Sequence, residues 1–120
     1  MVFAERFGLL VESGQVSPEA VAAATEVLAG VTAHLGRPLD EETDAMMATH
    51  LVMAMERLAR GEEIPDLPAV VVEEARGYRE EWDLAVGGLA RAAARWGRQA
   101  PLAEISYLTV HLRSLKGEPT

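Results

Sequence analysis

The 120-residue chain has no cysteine, which excludes disulfides and thiolate zinc sites and suits a reducing compartment. Aromatic residues make up only 5% of it although 49% is hydrophobic. The apolar content is mainly Ala, Leu, Val and Met, side chains that are good or tolerated helix formers, so the bias is towards an all-α fold. Uninterrupted apolar runs are a few residues long, far short of the roughly 20 that a membrane span needs. No opening segment pairs a charged start with the long apolar run that secretion requires, so a soluble, cytoplasmic protein is expected. Basic residues are also few. Eleven Lys and Arg face nineteen Asp and Glu, a formal charge of -8, and that field repels phosphodiester backbones and anionic lipid. Neither nucleic acid nor membrane is an expected partner.

What is present reads as helices separated by clear stops. Residues 2–11 suit a short helix with Phe3, Phe7 and Leu10 on one side, ended by Gly14. Ser17-Pro18-Glu19 is a helix start, with a capping hydroxyl, proline in the first turn and an acid favoured by the dipole. That helix is predicted to run to about Leu35 on Val21, Ala24, Leu28, Val31 and Leu35, and to stop at Gly36 and Pro38. Asp40 is expected to cap the next helix, with Glu41 and Glu42 in its first turn and Arg57 and Arg60 in its last, before Gly61. After a connector with two prolines, Val71, Tyr78, Trp82, Leu89 and Trp96 keep helical period over 69–96, with a break near Gly77. A last helix carries Leu102, Ile105, Leu108 and Leu112 to about Leu115. The expected organisation is an N-terminal extension or short helix over 1–16, one helical domain over 17–115 and a flexible tail over 116–120.

Two histidines stand out by their spacing. His50 precedes Arg57 by seven residues in THLVMAMER, and Glu104 precedes His111 by seven in EISYLTVH. Seven residues are nearly two helical turns, so each pair returns to one stripe within ~20° and is separated by ~10 Å along the axis. If the two helices run antiparallel with the histidines facing, Arg57 comes opposite Glu104. The resulting ion pair fixes the register of a single pocket holding His50 and His111.

The stretches HLVMAMERLARG and EISYLTVHL, in this order with a Gly-Pro linker and a short and a longer helix between them, resemble the PTS regulation domain. This is the helical module by which bacterial regulators read the sugar phosphotransferase system. The resemblance covers roughly Ser17 to Leu115. It implies a compact bundle of about five helices with two antiparallel pairs, the histidine-bearing helices forming one pair. It also implies homodimerisation and reversible phosphorylation of His50 and His111 by the phosphocarrier HPr or a sugar-specific EIIB component. No cofactor is implied. Arg57 and Glu104 are then supporting charges and a separate regulator a further partner. Two features depart from the family pattern. Thr49 stands where many members have an acid before the first histidine. A single module without a basic effector domain reads as a stand-alone copy.

Other readings compete. The two histidines also suit a satisfied polar core, or a dimeric adaptor of the same fold that is never phosphorylated. A metal-dependent hydrolase using His50 and His111 is disfavoured, because chelating pairs on one helix need spacings of three or four. Met46, Met47, Met53 and Met55 read as packing, Trp82 and Trp96 as core anchors and His34 as a favourable charge at a helix end. Arg91, Arg95 and Arg98 read as a solvated basic face.

Overall fold

The computed structural model describes residues 2–115; the expected tail over 116–120 lies outside the described residues. Six helices and no strand are found among them: α1 Ala4–Glu12, α2 Pro18–Leu35, α3 Ala45–Arg60, α4 Ala69–Gly77, α5 Arg79–Ala94 and α6 Leu102–Leu115. The protein is all-α, with six helices where about five were expected. The chain divides into one compact unit up to Glu62 and a second from Glu63.

In the first unit the helix signals at 17–36 hold. Ser17 is extended and its Oγ accepts a hydrogen bond from Ala20 N at 3.2 Å, with Pro18 beginning α2. Gly36 closes that helix in the left-handed region (φ 69°), its N–H donating to Thr32 O, a conformation in which a Cβ is penalised. Ala20, Ala23, Ala24, Val27, Leu28 and Val31 are the buried face of α2. The helix with His50 starts later than expected. Asp40 Oδ1 accepts from Glu42 N and Thr43 N at 2.8 and 3.0 Å, so it caps a turn over 41–43, and α3 begins only at Ala45. These two backbone N–H groups, Thr43 first, hold the Asp40 carboxyl below its ordinary pKa. Asp44 ends that turn fully buried, its Oδ2 accepting from Asp40 N and from Arg37 Nη1 at 2.7 and 3.2 Å. The acidic residues therefore organise the connection rather than the first turn of α3. Phe3 and Phe7, buried with ring centroids 5.9 Å apart, anchor α1, and Arg6 bonds Glu41 at 2.6 Å beside them.

A buried carboxylate joins α2 to α3. Glu56 Oε1 accepts the N–H of Ser17 at 2.7 Å, and its Oε2 accepts from Arg60 Nε at 2.6 Å. Because Ser17 starts α2 and Glu56 lies near the end of α3, these two helices are antiparallel. Burial alone would raise the Glu56 pKa, but the Ser17 hydrogen bonds and Arg60 outweigh it and the group is held below its ordinary value.

In the second unit α4 and α5 are separated at Tyr78 (φ -86°, ψ 74°), one residue beyond the break expected near Gly77. Of the stripe expected over 69–96, Leu89 is buried in the core, whereas Val71, Tyr78, Trp82 and Trp96 are half-buried. Val72 and Ala75 are the buried residues of α4, and those of α5 are Glu81, Ala85, Gly88, Leu89, Ala92 and Ala93. Trp82 is half-buried beneath Arg76, whose guanidinium carbon is 5.1 Å from the ring centroid, and Trp96 lies past the end of α5. Small residues fill the core because α5 and α6 pack closely, Ala103 and Ser106 being buried on α6. The short connection over 95–101, closed by Gly97 at φ 65°, makes α5 and α6 antiparallel. Each histidine-bearing helix is thus paired within its own unit, α3 with α2 and α6 with α5, where the resemblance implied that the two form one pair.

Replacing Glu56 with Ala leaves the Ser17 N–H and Arg60 without their acceptor and should cost about 2 kcal/mol, read by urea unfolding. Glu56→Gln keeps an acceptor and should cost less. The lowered pKa adds a sign: the carboxylate stabilises the fold fully above roughly pH 4.5. That stabilisation disappears as pH falls through the lower folded value. Acid unfolding curves of Glu56→Gln should accordingly be flatter than wild type below that pH.

Candidate functional site

The buried face of α3 sets how its candidate site residues are presented. Met47, Ala48, Leu51, Val52, Ala54, Met55, Glu56 and Leu58 are buried. With Glu56 turned to the start of α2, a residue six positions earlier lies about 120° round the helix. That residue is His50, and it is half-buried. Arg57 follows on the His50 stripe and is exposed in the last turn of α3. The methionines divide: Met47 and Met55 are core, Met53 is half-buried, and Met46 is 75% exposed, so Met46 is not the packing residue it was expected to be. It projects one turn before His50 on the same side.

On α6 the stripe is reversed in charge and in depth. Glu104 is buried in the first turn, with Ala103, Ile105, Ser106, Leu108, Thr109 and Leu112. The hydroxyls of Ser106 and Thr109 donate to Leu102 O and Ile105 O, at 2.8 and 2.7 Å, so each is satisfied within its own helix. His111, two turns after Glu104, is half-buried. Its ring stacks on that of Tyr107, with centroids 5.7 Å apart and planes 24° from parallel. Burial and, second, the negative charge of Glu104 push the Tyr107 phenol above its ordinary pKa, so it stays neutral at physiological pH.

Each half of the sequence pattern is therefore found on a helix, His50 and Arg57 on α3 of the first unit, Glu104 and His111 on α6 of the second. The sequence reading passed over two contributors. Glu56, adjacent to Arg57, is the charge that fixes α3, and Tyr107 is the ring against His111. The four-residue spacing of Tyr107 and His111 was a usable signal; the Glu56 bond to a residue 39 positions away was not.

A model of the PRD domain, the PTS regulation domain, matches residues 25–115. The chain belongs to the PRD family. The match contains all of α3 to α6, with both histidines, and leaves α1 and the first two turns of α2 outside it. It starts eight residues later than the resemblance read from Ser17. No curated protein matches the chain, and no solved structure does. PRD domains are regulatory modules of the phosphotransferase system, a non-catalytic family. No described helix is long and apolar enough to cross a membrane.

The roll of α3 is open to test. Met47→Ala should cost ~2–5 kcal/mol as a core truncation, whereas Met46→Lys, one residue away, should stay within ~0.5 kcal/mol of wild type. Thermal and urea melts of the two variants check this.

Proposed function

We propose that this protein is a phosphorylation-responsive regulatory module of the bacterial sugar phosphotransferase system. It accepts phosphoryl groups on His50 and His111 from HPr or a sugar-specific EIIB component. The observation that carries the reading is the family match over residues 25–115, which contains both histidines in helices. Their half-burial supports it. An acceptor imidazole needs an edge that a donor can reach and enough contact to hold its plane, and histidine has a substantial neutral population near pH 7. The donor brings the activated phosphate, so no nucleotide cradle or metal is needed on this chain.

Arg57 and Glu104 are the supporting charges of this reading. The phosphoryl group adds about -1.5 to -2 charges to its histidine. Arg57, on the His50 stripe, offers an exposed guanidinium with long reach, suited to that charge. Glu104, of like sign, opposes it on the His111 stripe. A change of this size shifts the equilibrium of a homodimer or of a complex with a separate regulator in the cytoplasm. That shift is the output.

Intact-mass measurement after incubation with phosphoenolpyruvate, enzyme I, HPr and EIIB tests the function. Wild type should gain phosphoryl mass that is lost on heating or in acid. His50→Ala and His111→Ala should each remove one increment, and Arg57→Ala should slow acceptance at His50 more than at His111. An unchanged wild-type mass with every donor present would leave a non-phosphorylated dimeric adaptor as the better reading.

A further inference from the structure

We propose that Tyr107 is the positioning residue for phosphoryl acceptance at His111: its ring, stacked on the imidazole, holds the plane of the acceptor and faces the positive charge that develops there during transfer. This rests on the function proposed above. Tyr107 and His111 are four residues apart on α6, and their rings are 5.7 Å apart and nearly parallel. A half-buried tyrosine on a helix has restricted rotamers, so the stack limits how the imidazole turns and which edge it offers outward.

The chemistry gives the stack a second consequence. In the transfer, a lone pair on one His111 nitrogen forms the new N–P bond while the bond from phosphorus to the donor's side-chain atom breaks. The electron pair of that bond stays on the donor atom, and the phosphoryl group crosses with its own negative charge. The proton on the other His111 nitrogen stays in place, so the acceptor ring becomes cationic as the bond forms. An aromatic face attracts a cation close to it, more strongly where water is partly excluded. Tyr107 therefore interacts more favourably with the transition state than with the neutral acceptor, which is the requirement for accelerating the step. The raised phenol pKa supports this role, since a neutral phenol keeps its hydroxyl proton throughout the transfer.

Single-turnover transfer from phosphorylated HPr or EIIB, measured in a His50→Ala background so that only His111 is read, tests the proposal. Tyr107→Phe keeps the ring and should transfer within about twofold of the background protein. Tyr107→Leu should lower the rate at saturating donor roughly fivefold, with the donor concentration for half-maximal rate unchanged. The His111 ring protons should lose their aromatic upfield shift in the Leu variant and keep it in the Phe variant. Should Tyr107→Leu lose its helical circular dichroism, Tyr107→Met supplies volume without a π face. A Leu or Met variant that transfers at the background rate overturns the positioning role, as does a Phe variant as slow as Leu. Absence of any transfer to His111 in the His50→Ala background instead overturns the acceptor assignment on which the proposal stands.

Discussion

The first unit depends on the carboxylate of Glu56. It reaches from α3 to the N–H of Ser17, the residue that begins α2, and is held from the other side by Arg60. A half-made version of this arrangement would be costly, because a buried carboxylate lacking its donors, or an amide lacking its acceptor, keeps its desolvation penalty. The completed bond therefore sets both the register of α3 along α2 and its roll. Met47, Leu51 and Met55 go inward with Glu56, and His50 and Arg57 fall on the flank. Presentation of the first histidine is thus a consequence of a residue outside the His50–Arg57 stripe.

The second unit reaches a comparable end by other means. Its long helices pack on each other and bury small side chains: Ala85, Gly88, Ala92 and Ala93 on α5, Ala103 and Ser106 on α6. Small residues let backbones approach but specify roll weakly, since they interdigitate little. Larger groups add the missing specification. Leu89, Leu108 and Leu112 are buried there, and Arg113 lies 5.3 Å over the ring of Tyr78, at the break between α4 and α5. With Leu108 and Leu112 inward, Tyr107 and His111, each one residue earlier, are about 100° round the helix and half-buried together. The stack between them belongs to the edge of the core, where both residues are half-buried.

Features encoded over a few residues were legible in the sequence. Ser17-Pro18 and Gly36 delimit α2 because capping and left-handed closure depend on the chain within a turn of the helix end. The seven-residue spacings put His50 and Arg57, and Glu104 and His111, on their helices for the same reason. Depth was not legible in those spacings: Arg57 is exposed and Glu104 buried, although both share a stripe with a half-buried histidine. The tryptophans misled because size was taken for burial, whereas a close helix pair excludes large rings and selects Ala and Gly. Asp40 does not cap α3 because its carboxylate accepts from Glu42 N and Thr43 N in the turn over 41–43. Asp44, buried and bonded to Arg37 and to Asp40 N, closes that turn, and α3 starts after it at Ala45.

The difference in depth has an electrostatic consequence for the proposed function. Each acceptor is separated from its own supporting charge by ~10 Å along one helix. At that distance a unit pair interacts by about 0.4 kcal/mol in water but about 1.7 kcal/mol at an effective dielectric of 20. Ions screen the exposed partner further, since the Debye length at physiological salt is only about 8 Å. Exposed Arg57 sits near the weak limit and buried Glu104 nearer the strong one. Repulsion between Glu104 and a phosphoryl group on His111 therefore exceeds the attraction that Arg57 gives one on His50. On the proposed function the two histidines would therefore be unequal acceptors: a phosphate on His50 would lie on a stripe with exposed Arg57, while one on His111 would work against buried Glu104 on its own helix. The larger electrostatic change on phosphorylation would then fall in the second unit.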